Sequence, residues 1–151
     1  MTTIHYPLST VDLVVLDLDG TLYDKRHLSL RMVLHALCDI RKMQAERHTR
    51  AKMKGTYLGN KEAFYESYFL HLSQMLKTSA DSVQQWYENR YMPLMVNLIG
   101  KHHHAGDWVM PLIQQCRSRG IKLVVLSDYD HAEDKLQALG LSPTLFDWVV
   151  S

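Results

Sequence analysis

The chain has little cysteine, almost no net charge and no long apolar run. Cys38 and Cys116 are its two cysteines among 151 residues, lie far apart and form no CxxC pair. That points to free thiols in a reducing compartment rather than to a disulfide framework. Seventeen Lys+Arg against sixteen Asp+Glu leave a formal charge of +1, so no global field selects nucleic acid or an acidic surface. A bilayer-spanning segment needs about 18 consecutive apolar residues, and none occurs here. The opening stretch MTTIHYPLST has no basic flank and no apolar block of signal-peptide length, so the expected location is cytoplasmic, away from membranes. Apolar residues at 46% and charged residues at 22% are ordinary globular usage, which excludes a disordered, collagenous or low-complexity chain. The length fits one domain, or one domain carrying an insertion.

Two segments read as buried parallel strands. Residues 11–16 (VDLVVL) and 121–126 (IKLVVL) both contain LVVL, a continuous apolar run suited to a sheet covered by helices on both faces. Each turns abruptly polar, into Asp17, Leu18, Asp19 and Gly20 in the first case and Ser127, Asp128, Tyr129 and Asp130 in the second. Open α/β sheets place ligands at the carboxyl ends of their strands. An amphipathic helix over 107–118 closes at Gly120, a helix over 131–139 closes at Gly140, and Trp148, Val149 and Val150 form a third strand.

Between these parts the pattern is helical. Leu30, Val33, Leu34, Leu37, Ile40 and Met43 fall on one helical stripe. A second helix starts after Asn60 as N-cap and carries Phe64, Tyr68, Leu72 and Met75. A third opens near Ser79, carries Val83, Trp86 and Tyr87, and is interrupted by Pro93. Their aromatic residues read as packing between helices. The expected organisation is an α/β core in two parts, 1–23 and 101–151, with a helical cap at 24–100.

Asp17 and Asp19 carry the chemistry. Two carboxylates at i and i+2 beyond a strand, with Gly20 permitting a sharp bend, allow one to attack an electrophile while the other handles the leaving-group proton. Alone, Asp-x-Asp also describes a solvated acidic turn. The preceding apolar strand, the following Gly20 and Thr21, and a second strand ending at Ser127 sharpen it.

With these motifs in view, the sequence resembles the haloacid dehalogenase-like superfamily of hydrolases. Its first motif, a hydrophobic strand followed by Asp-x-Asp-Gly-Thr, is matched by Asp17 to Thr21, and its second, a strand ending in Ser or Thr, by Ser127. The stretch LSDYDHAEDKLQALGLSPTLFDWVVS is similar to the family beyond that motif, and the helical insertion resembles its cap. The implied fold is a Rossmann-like parallel sheet, a three-layer α/β/α core, here partial, with an inserted α-helical cap. The implied activity is a Mg²⁺-dependent phosphatase acting on a small phosphorylated metabolite through an aspartyl-phosphate. Asp17 would be the nucleophile, and Asp19 would protonate the leaving oxygen and then activate water. The dehalogenase branch lacks an acid at this second position, so Asp19 implies phosphoryl rather than halide chemistry. The N–H groups of Leu18 and Asp19, the Ser127 hydroxyl and the Asp128 N–H would hold phosphoryl oxygens, with Gly20 and Thr21 shaping the loop. Mg²⁺ would bind the Asp17 carboxylate and the Asp19 carbonyl oxygen. Residues 22–27 would form a hinge, with His27 nearby.

The family's third motif, a neutralising Lys, and its fourth, an acidic pair on a further strand, have no match. Lys135 comes too soon after Ser127 for the third motif and reads as part of an exposed helix; Asp128 and Asp130 read as a solvated loop. The expectation is a piece of a longer enzyme, with a short protein lacking turnover as the alternative. In either case the first strand would show an unpaired apolar edge, which invites a homodimer or a complementing chain. A catalytically silent interaction module working through that edge is therefore the alternative function. A phosphoacceptor receiver domain is disfavoured by the long insertion after the acidic pair. The basic run Arg41, Lys42, Arg47, Arg50, Lys52 and Lys54, opposed by Glu46, reads as a solvated helix face without the interleaved aromatics of a nucleic-acid surface. His102, His103 and His104 read as a loop, since consecutive residues point different ways.

Overall fold

The two Val-rich runs become neighbouring parallel strands. The structure, a computed structural model, describes residues 11–151; the reading of 1–10 as free of a targeting segment lies outside them. Strands β1 (Leu13–Asp17) and β2 (Lys122–Leu126) pair with Val15 opposite Val124 and Asp17 opposite Leu126. Strand β3 (Trp148–Val150) adds to the other side of β2, giving the order β1-β2-β3. The chain divides into two compact units, one of 11–26 with Val96–Ser151 and the other of His27–Met95.

In the first unit, side chains alternate between the two faces of the sheet. Leu16, Leu123 and Val125 are buried, together with Ile113 and Cys116 of α6 (Val109–Ser118) and Ala132 and Leu136 of α7 (Ala132–Ala138). The opposite face is not covered among the described residues: Leu13, Val15, Leu126, Trp148 and Val150 are all exposed. Burial on both faces was the expectation for these strands; here helices cover one face, and the three-layer core is partial. Left-handed glycines turn each helix back toward the sheet, Gly120 at φ 71° before β2 and Gly140 at φ 78° after α7.

The second unit is helical, with its stripes differently placed. The expected continuous helix through residues 30–43 is broken. Helix α1 (Leu28–His35) stops at Ala36, whose φ of −142° is not helical, and a 3₁₀ turn (Leu37–Asp39) leads into α2 (Ile40–Met53). Leu28, Met32 and Ala36 are buried, whereas Leu30, Leu34 and Leu37 are 57%, 62% and 64% exposed. Helix α3 (Lys61–Leu76) begins as expected, with the Asn60 side chain accepting from the Ala63 N–H at 2.8 Å. Helix α4 (Ala80–Trp86) is capped by Ser79 and does not end at Pro93. It passes through a π-helical turn (Tyr87–Tyr91) into α5 (Met92–His102), so the helical run continues through Pro93 and is not interrupted there.

Glu46 and Arg50 of the basic run are not on a solvated face. Glu46 is buried and accepts from Arg50 Nε at 2.8 Å, Tyr68 Oη at 3.0 Å and Tyr91 Oη at 3.0 Å. Arg50 also donates to Tyr87 Oη at 3.1 Å. Burial, then the Glu46 charge, raises the Tyr68 phenol above its ordinary value of 10.0; burial, then neighbouring Tyr65, does the same for Tyr87. Each phenol stays protonated when folded and ionises when unfolded above about pH 10. Stability is therefore fully present below that pH and falls above it, by about 1.4 kcal/mol per pH unit for each tyrosine. Urea unfolding followed from about pH 9 to about pH 11 should show that loss, and the double variant Tyr68→Phe with Tyr87→Phe should show less of it. A pH dependence that is equally steep in that variant would contradict it.

Candidate active site

The site begins where β1 ends. Leu18 is fully buried, and its N–H donates to the Leu126 carbonyl at 2.9 Å, tying the start of the acidic loop to the end of β2. The Leu18 carbonyl accepts from the Leu22 N–H at 3.2 Å, closing a tight turn around Gly20. Gly20 has φ 103°, a left-handed conformation that favours glycine, and the Lys25 side chain lies against it. Asp17 is left exposed at the strand end, its Oδ2 accepting from Thr21 Oγ1 at 2.8 Å. Thr21 thereby orients one oxygen of the expected nucleophile.

Asp19 points inward and is held from three directions. Its Oδ1 accepts from Tyr23 Oη at 2.7 Å and from Lys135 Nζ at 3.1 Å. Its Oδ2 accepts from Ser127 Oγ at 2.9 Å and from Lys135 Nζ at 2.9 Å. Ser127 reaches it from the carboxyl end of β2, where its own N–H donates to Val150 at 2.9 Å and its Oγ accepts from the Tyr129 N–H at 3.1 Å. The Asp19 side chain is 10% exposed and that of Lys135 is fully buried. Tyr23 is also buried; desolvation first, then the Asp19 charge, drives its phenol far above the ordinary value, so it acts here as a fixed hydrogen-bond donor.

The loop thus brings Asp17, Asp19, Thr21 and Ser127 together, with two differences from expectation. The Leu18 N–H is engaged by the Leu126 carbonyl and is not a phosphate donor in this arrangement. The Ser127 hydroxyl faces the Asp19 carboxylate rather than an open pocket. Asp128 lies exposed beside it, and Asp130 accepts from the His131 N–H at 2.9 Å.

Lys135 is the residue that sequence reasoning passed over. It was expected on an exposed helix, yet it is 0% exposed and ion-paired to Asp19, with its ammonium 4.7 Å from the Tyr129 ring centre. The signal was present: Ala132, Lys135, Leu136 and Leu139 are spaced i, i+3, i+4, i+7 and all are buried. A lysine on an apolar stripe is a lysine facing inward. Tyr23 and His103 were missed too. Leu22 and Tyr23 are packed inside the first unit, and His103 is buried, donating from Nδ1 to the Asp24 carbonyl at 2.7 Å.

A family model for haloacid dehalogenase-like hydrolases matches residues 11–151. The chain belongs to this family. No curated protein matches it significantly. Among solved structures it is similar to CbbY from Rhodobacter sphaeroides in complex with phosphate, at 16% identity and a TM-score of 0.53, over 94% of this chain and 64% of that one. It is also similar to a protein described as a β-phosphoglucomutase from Thermotoga maritima, at 17% identity and a TM-score of 0.47, over 93% of this chain and 61% of the other. The chain therefore spans less than two thirds of the length of either structure. The likeness to CbbY is one of fold. Among the described residues no group of three or more His, Cys, Asp or Glu is arranged to hold a metal, and no helix is long and apolar enough to cross a membrane.

Proposed function

We propose that the chain is a phosphomonoester hydrolase acting on a small phosphorylated metabolite, with Asp17 as nucleophile. The observation that carries this reading is the division of labour between the two carboxylates. Asp17 stands exposed at the strand end with one oxygen oriented by Thr21, while Asp19 is drawn inward by Tyr23, Ser127 and Lys135. In the first step an Asp17 oxygen attacks phosphorus as the bond to the ester oxygen breaks. The departing oxygen keeps the electron pair and takes a proton that the Asp19 carboxylate has first bound from solvent. In the second step water gives its proton to Asp19 and attacks the aspartyl-phosphate, and the bond between phosphorus and Asp17 breaks to release phosphate.

The donors at the loop suit Mg²⁺ in chemistry, being hard oxygens: the Asp17 carboxylate and the Asp19 carbonyl would hold it, with water and substrate completing the set. When bound it would offset the repulsion between the anionic nucleophile and the anionic ester. Cys38 and Cys116 are both free thiols, in keeping with a cytoplasmic setting. The deciding experiment is Mg²⁺-dependent phosphate release from an aryl phosphate by the 151-residue chain beside Asp17→Asn. Release by the chain and not by the variant is the expected result. No release by the chain, or equal release by both, overturns the reading.

A second reading rests on the uncovered sheet. Leu13, Val15, Leu126, Trp148 and Val150 form one exposed apolar face, and β1 has no strand beyond it among the described residues. A second copy of the chain is the proposed occupant, because the same strip can serve both sides of a two-fold contact. Light scattering should then show a dimer that Val15→Lys converts to monomer; a chain that is monomeric at every concentration removes this reading.

A further inference from the structure

Lys135 and Ser127 converge on one carboxylate at the end of the sheet, beside the exposed nucleophile. We infer that these two side chains form an oxyanion cradle which Asp19 occupies in the resting site, and that an incoming phosphoryl oxygen displaces the Asp19 carboxylate from it. The inference rests on the phosphatase reading for the identity of the anion, and it gives Lys135 a role as an anion-binding residue.

Three observations carry it. First, the Lys135 ammonium is fully buried, and a buried cation needs an anion or dipoles close by. It meets both oxygens of Asp19, at 3.1 and 2.9 Å, so the carboxylate presents a flat pair of oxygens to a three-proton donor. Second, Ser127 Oγ donates to one of those same oxygens at 2.9 Å, and its orientation is fixed from behind by the Tyr129 N–H at 3.1 Å. Ser127 is thus oriented by the backbone as well as by Asp19, and the Lys135 ammonium lies against the Tyr129 ring as well as Asp19. Third, both donors stand at the carboxyl end of the parallel strands, where the nucleophile also emerges. A phosphoryl group offers several oxygens to these donors. The exchange leaves Lys135 paired throughout, with one anion replacing another, so its burial does not have to be undone. Asp19 keeps the Tyr23 hydroxyl, which holds it near the leaving oxygen after displacement.

The test is equilibrium binding of inorganic phosphate to the full chain at constant Mg²⁺, measured calorimetrically. Asp19→Asn removes the competing carboxylate and should tighten phosphate binding about tenfold. That gain alone would also follow from lower local negative charge. The double variant Asp19→Asn with Lys135→Met therefore decides the matter, and it removes both buried charges together, so neither is stranded. It should bind phosphate no better than the unaltered chain. An Asp19→Asn variant that gains nothing, or that keeps its gain in the double variant, overturns the inference. The two proposals fail separately. Turnover that depends on Asp17 without any gain in Asp19→Asn sinks the cradle and leaves the phosphatase. A gain that runs through Lys135 in a chain without turnover does the reverse.

Discussion

Asp17→Asn should lower the rate of aryl phosphate hydrolysis by about 10⁴-fold or more, roughly 5 kcal/mol of transition-state stabilisation. The size follows from the kind of step lost. An amide oxygen carries no full negative charge and forms no stable covalent link to phosphorus, so the two-step route closes rather than slows. Asparagine has nearly the shape of aspartate, and Asp17 accepts a hydrogen bond from Thr21 that an amide oxygen can also accept. The strand end is exposed, so little packing depends on the charge. The thermal midpoint should therefore move by no more than a few degrees, in line with surface substitutions of about 0.5 kcal/mol. Unchanged stability with lost turnover separates chemistry from folding. A variant that retains most of its rate would mean that phosphorus is attacked by some other group.

Glu46→Ala should destabilise the chain by about 3–5 kcal/mol, because one buried carboxylate joins several helical segments. Glu46 on α2 accepts from Arg50 on the same helix, from Tyr68 on α3 and from Tyr91 in the π-helical turn. Its removal leaves a guanidinium with 13% side-chain exposure without this counter-charge, and takes the shared acceptor from two buried phenols. Each phenol so affected costs about 1–3 kcal/mol. Glu46→Gln keeps the shape and loses the charge, so it should fall between the two. A domain has about 5–15 kcal/mol in total, which makes the alanine variant marginal near body temperature. The urea midpoint of both variants, with the slope of the transition, is the measurement; a loss under about 1 kcal/mol for alanine would show that the network does not hold the helices.

These two residues differ in how visible they were. Asp17 announces itself, because an apolar run followed by Asp-x-Asp-Gly-Thr is a pattern of immediate neighbours. Glu46 does not. It sits among Arg41, Lys42, Arg47 and Arg50, a stretch that reads as a solvated face, and only the arrival of Tyr68 and Tyr91 turns it into a buried acceptor. Lys135 is the intermediate case: its helical stripe was readable, but its partner Asp19 lies 116 residues away.

What the amino-acid order determined by itself was local: two Val-rich strands that turn polar at their ends, the Asn60 and Ser79 caps, the glycine turns at Gly20, Gly120 and Gly140, and the acidic loop with its family motif. Each depends on sterics and hydrogen bonds within a few residues, which a single stretch of chain contains. Tertiary structure decided which faces were buried. Leu28, Met32 and Ala36 pack while Leu30, Leu34 and Leu37 stay exposed, although both sets have helical spacing. The sheet is covered on one face alone among the described residues, though its strands read as covered on two. Asp19 is bound by Lys135 instead of standing open to substrate. Burial and ion pairing are properties of pairs of surfaces, and periodicity along one segment names a face without naming what will meet it.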